Sequence, residues 1–109
     1  MSRTYYFHLE YAGNSLTATV TLGTVRELSL LVNGHEAANE RLHGHHGETH
    51  VLRTVLPGDP PGEASVEVTL PGPLRGEPQC ILVAPGRRLP MPQRPMPHDA
   101  RPTEASWYG

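Results

Sequence analysis

The densest concentration of reactive side chains is the stretch His43-Gly44-His45-His46-Gly47-Glu48-Thr49-His50, with four histidines and a glutamate in eight residues. In an extended chain successive side chains point to opposite sides, so His43 and His45 share one side and His46, Glu48 and His50 the other. Either set can bring imidazole nitrogens to within the ~2.0–2.1 Å of a Zn²⁺ or similar ion. His43, His45, His46 and His50 are therefore the candidate metal ligands, with zinc or copper as the fitting ions. The function that follows is a metal-binding protein or small metalloenzyme. The competing reading of the same residues is a solvated, glycine-punctuated loop. The chain has seven histidines and a formal charge of −2; protonating all of them near their ordinary pKa of ~6.5 would bring it to about +5.

Other catalytic chemistry has little behind it. Cys80 lies in the apolar run Gln79–Ala84, where a thiol acts as a small hydrophobe, and a single cysteine forms no intramolecular disulfide. Neither a Gly-x-Ser-x-Gly elbow nor a phosphate-cradling glycine loop occurs. The sequence thus leans away from an enzyme. The nine basic residues are all arginine and are scattered rather than striped, which leaves no electrostatic footprint for nucleic acid or anionic lipid. Apolar runs such as Leu30 to Val32 are far below the ~20 residues that cross a bilayer. The opening residues Met1 to Tyr5 lead directly into alternation with no apolar leader, so the expected location is cytoplasmic.

The C-terminal residues suggest docking. Leu89-Pro90-Met91-Pro92-Gln93-Arg94-Pro95-Met96-Pro97 alternates proline with other residues, a pattern that favours polyproline II. Such a pre-extended arm loses little entropy on binding, and Trp107-Tyr108 near its end supplies large, rigid contact area. Pro92, Pro95, Met96, Trp107 and Tyr108 are the candidate contacts. Tyr6 joins them because Tyr5, Tyr6, Phe7 and Tyr11 exceed what one small core face needs, and an exposed aromatic edge favours pairing with another chain. The expected function is a non-catalytic protein-binding or assembly module that docks through sheet edges and this arm. Its partner is another protein or a second copy of the chain.

The elements that must position these residues are strands. Gly and Pro together make up about a fifth of the 109 residues, which excludes an all-helical fold. Tyr5, Phe7, Leu9 and Tyr11 alternate with Tyr6, His8 and Glu10; Leu16, Ala18, Val20 and Leu22 alternate with threonines, and the two runs should form a hairpin. Val25 to Val32 makes a third strand with Leu28, Leu30 and Val32 inward, closed by Asn33-Gly34, the dipeptide suited to a type I′ turn. His35 to Leu42 is expected to give a short strand and a loop. Glu48 to Leu56, Ala64 to Leu70 and Gln79 to Ala84 complete the set, separated by Pro/Gly-rich breaks. The pattern predicts an all-β fold, a small antiparallel β-sandwich or barrel of six to seven short strands, over residues 1–90. A proline-rich extended tail occupies 91–109.

Two resemblances bear on this pattern. His-x-His followed by Glu resembles the metal motif of the cupins, although only two residues separate His45 from Glu48 and no Pro-x-Gly-x-x-His segment follows. Val32-Asn33-Gly34, Gly47-Glu48-Thr49-His50-Val51, Cys80-Ile81-Leu82-Val83 and Arg88-Leu89-Pro90 resemble, in order and spacing, the second half of the Fas apoptotic inhibitory molecule family. That resemblance covers about half of the chain and implies a small, non-enzymatic β-sandwich. The first hairpin and the proline tail have no counterpart in it.

Overall fold

A computed structural model describes residues 3–23, 25–42, 48–71 and 76–94. The first sheet is a meander. β1 (Arg3–Tyr11) and β2 (Asn14–Leu22) are joined by Ala12-Gly13, and β3 (Arg26–Val32) and β4 (His35–Leu42) by Asn33-Gly34. All four of these turn residues have positive φ: 53° and 78° in the first pair, 54° and 85° in the second. This is the geometry that matches a hairpin turn to the right-handed twist of its strands. The second sheet holds β5 (Thr49–Leu56), β6 (Gly62–Thr69), β7 (Gln79–Ala84) and β8 (Arg87–Pro90), each antiparallel to the next. The chain then crosses back, and β9 (Gln93–Arg94) pairs with β1 at the edge of the first sheet. The orders are β4-β3-β2-β1-β9 and β5-β6-β7-β8.

The predicted all-β architecture is the one observed, and its core follows the alternation. Leu16, Ala18, Val20, Leu28 and Leu30 line the inner face of the first sheet with no exposed surface. Leu52, Val66, Val68, Cys80 and Leu82 face them from the second, and Tyr5, Phe7 and Leu42 close the ends. Full burial of each Leu, Val or Phe side chain contributes roughly 1.5–3 kcal/mol, so this two-faced layer dominates the stability. Arg26 shares the inward parity of Leu28 and Leu30 and is accordingly buried.

Three features differ from the sequence expectation. His35–Leu42 is one continuous strand that pairs with β3 along its length, with a register shift at Leu30/Leu31. Its inward residues Ala38, Glu40 and Leu42 include a carboxylate, which hid the strand from a hydrophobicity reading. Arg87–Pro90 and Gln93–Arg94 add two more strands, giving nine among the described residues instead of six or seven. Residues 91–94, grouped above with the tail, belong to the sandwich. Met91 is buried in the core, its amide donates to the Cys80 carbonyl at 2.9 Å, and the His8 amide donates to the Pro92 carbonyl at 3.0 Å. Proline is tolerated there because these are edge positions.

Candidate docking surface

Of the predicted metal ligands, His43, His45 and His46 lie outside the described residues. His50 is described, at the second position of β5 with its side chain turned inward between the sheets. Its Nδ1 lies 3.6 Å from Glu40 Oε2 on β4. Its Nε2 lies 2.8 Å from Glu48 Oε1, close in distance but out of line for a hydrogen bond. The two nitrogens of an imidazole point apart, so the carboxylates flank His50 on opposite sides and do not converge with it on a common point. Among the described residues no group of three His, Cys, Asp or Glu side chains is arranged to hold a metal ion. The arrangement instead forms a polar strut between β4 and β5, where the two sheets meet.

Cys80 is buried, and desolvation pushes its thiol up to about 12. A thiol held neutral at ordinary pH is a poor nucleophile, as its apolar strand implied. His8 is the other histidine with close partners. On the outer face of the first sheet, its Nδ1 lies 3.1 Å from Thr17 Oγ1 and its Nε2 2.9 Å from Glu10 Oε2. Thr17, His8 and Glu10 thus stand in a row of hydroxyl, imidazole and carboxylate on that face, with further threonines beside Thr17 on β2.

Among the docking candidates, Pro95, Met96, Trp107 and Tyr108 also lie outside the described residues. Pro92 is exposed, with its carbonyl used by His8 as above. Tyr6 is half-buried on the outer face, between Thr19 of β2 and Arg94 of β9. Over Tyr6 and Phe7, β1 is thus an interior strand, because β9 occupies the edge that the aromatic pattern suggested was open. Of the other candidates only Pro92 is described, and it lies opposite His8, on the segment that pairs beside Tyr6.

The surface that sequence reasoning missed is the outer face of the second sheet. On β5 the even-numbered residues turn inward, with Leu52 and Leu56 in the core, and the odd-numbered residues turn outward. Val51 and Val55 are therefore exposed, by 38% and 59% respectively. Register places Glu67 and then Ile81 beside Val51, and Ser65 and then Val83 beside Arg53. An open groove of about 540 Å³ runs over this face, lined by Arg53, Val55, Glu63, Ser65, Val83 and Pro85 among others. Arg88 spans Glu67 with both guanidinium nitrogens, at 2.8 and 3.3 Å. Those hydrogen bonds hold the Glu67 carboxyl below its ordinary value and raise the Arg88 guanidinium. Arg53 has no carboxylate partner among the described residues.

The edges differ as sharply as the faces. β8 is four residues long and ends on Pro90, and β9 is two residues long. β4 carries Glu36, Glu40 and Arg41 and has an irregular register with its neighbour. These are the usual protections against edge-to-edge pairing. β5 has fewer of them: it is eight residues long, free of proline and rich in β-branched residues, with Arg53 its only permanent charge, while β4 of the other sheet packs near it. Among the described residues it pairs on one side only, with β6. The signal was present in the sequence, since Glu48 to Leu56 is apolar on both faces, Leu52 and Leu56 on one and Val51 and Val55 on the other.

No known protein-family model matches the chain, and neither a curated protein nor a solved structure matches it. Fold and surface together define an all-β, sandwich-like protein in which, among the described residues, β5 is a long edge strand paired on one side only.

Proposed function

We propose that the chain is a non-catalytic binding or assembly module whose docking surface is the free edge and apolar outer face of the second sheet, extended by the C-terminal arm. The observation that carries this reading is β5, among the described residues an eight-residue edge strand with two outward valines, no proline and a single permanent charge. Unpaired backbone groups give an extended partner its hydrogen bonds, and the outward side chains select it. In support, Cys80 is buried, and His8 and His50 each lie against neighbouring polar side chains.

The test is a comparison of three full-length proteins in affinity capture: wild type, Val51→Lys with Val55→Lys, and Thr19→Lys on the opposite outer face. A bound species retained by wild type and by Thr19→Lys, but lost from the valine variant while its unfolding midpoint is unchanged, is the expected result. Equal capture by all three proteins refutes the assignment of this surface.

A further inference from the structure

We infer that the occupant of the β5 edge is the β5 edge of a second copy, paired antiparallel about a two-fold axis at Leu52, so that the two four-stranded sheets become one. The inference rests on the docking reading above and deepens it by naming the partner.

Register decides how the two strands meet. Residues opposite each other in an antiparallel pair lie on the same face of the sheet, so outward residues of one β5 must oppose outward residues of the other. Among two-fold registers this leaves two that pair nearly the whole strand. In one, Arg53 opposes Arg53 of the partner copy, which sets like charges side by side on an exposed face. In the other, Leu52 opposes Leu52, and Val51 and Arg53 oppose each other reciprocally. The second register avoids the repulsion.

It also gives Arg53 a partner. Glu67 is the next outward residue beyond Val51 in the same row across the sheet. At strand spacings of about 4.8 Å, Arg53 of the second copy would sit roughly 10 Å from Glu67 between Cα atoms, with the methyl groups of Val51 beneath its aliphatic stem. The combined length of an arginine and a glutamate side chain covers that separation. Glu67 already accepts from Arg88 through both oxygens, and each carboxylate oxygen has a further lone pair to offer. Two-fold symmetry makes the contact twice. The only permanent charge on β5 thus meets an acid across the interface, and each exposed valine gains a lateral neighbour from the second copy, Arg53 beside Val51 and Thr49 beside Val55.

Two measurements on the full chain test this. In sedimentation velocity over a wide concentration range, wild type should form a reversible dimer. Arg53→Glu should raise its Kd about tenfold, a loss of about 1.4 kcal/mol, and adding Glu67→Arg should restore most of the affinity. In the second measurement, Val51→Cys and Arg53→Cys chains are prepared on a Cys80→Ala background and mildly oxidised. Mixed together they should give a covalent dimer, whereas neither alone should. A covalent dimer from Arg53→Cys alone would overturn the register, and a dimer unaffected by Arg53→Glu would overturn the interface. A wild type that stays monomeric overturns self-pairing. If that monomer still shows β5-dependent capture, the docking reading stands with a foreign partner; if it does not, both fall.

Discussion

Asn14 is the polar residue on which the joint between the two sheets most depends. It opens β2 and is 4% exposed. Its Nδ2 donates to the Ala12 carbonyl at 3.2 Å and, across the sandwich, to the Pro57 carbonyl at 3.1 Å. Its Oδ1 accepts from Asn33 Nδ2 at 2.8 Å, and Asn33 Oδ1 in turn accepts from the Ser15 amide at 2.9 Å. One amide therefore ties both type I′ turns of the first sheet to the loop after β5. Asn14→Ala deletes three hydrogen bonds, each worth a net of about 1 kcal/mol. Ala12, Asn33 and Pro57 are exposed enough for water to replace part of this, so the expected loss is about 2 kcal/mol, or a fall of roughly 8–16 °C in Tm.

The assay is urea unfolding with the m-value held as a check on two-state behaviour. Asn33→Gly separates the side-chain bonds from the backbone requirement, because glycine keeps the positive φ of 54° without strain. The Asn14→Ala, Asn33→Gly double variant should then show a coupling of about 1 kcal/mol between the two sites. Asn14→Asp should be worse than Asn14→Ala, since it turns a carboxylate toward the Ala12 and Pro57 carbonyl oxygens. A loss below about 0.5 kcal/mol for Asn14→Ala, within the range of ordinary surface substitutions, would refute the clamp.

Two further predictions concern Cys80 and the C-terminal boundary. Burial raises the folded-state thiol from its ordinary 9.0 to about 12; the unfolded chain therefore loses this proton first, and stability falls as pH rises through that window. Urea unfolding of wild type and Cys80→Ala at successive pH values should show the wild type losing ground above about pH 9 while the difference stays flat below it; parallel curves would contradict the burial argument. Truncation after Arg94 should leave the thermal midpoint nearly unchanged, whereas truncation after Pro90 removes buried Met91 and β9 and should cost about 2–5 kcal/mol, read by calorimetry. Equal midpoints for the two truncations would place the boundary back at residue 90.

Strand positions were legible because alternation is local: Leu16 to Val20 and Leu28 to Val32 declare their inward faces within a few residues of chain. The Asn33-Gly34 turn was legible for the same reason, since its positive φ values are a property of the dipeptide. Tyr6 and β4 were misread where the deciding contact was distant. Tyr6 looked like an edge residue until Arg94, far along the chain, paired beside it, and His35 to Leu42 read as a short strand and a loop because its inward positions include Glu40, which His50 faces from the other sheet. The docking surface shows the same division. Sequence could say that Val51 and Val55 share a face, but whether that face lies on an interior or an edge strand depends on the order β5-β6-β7-β8. An outward valine flanked by strands on both sides is ordinary packing. The same valine on an edge strand, beside an arginine with no carboxylate partner among the described residues, is what the proposed docking reading rests on, and it is strand order that turns the one into the other.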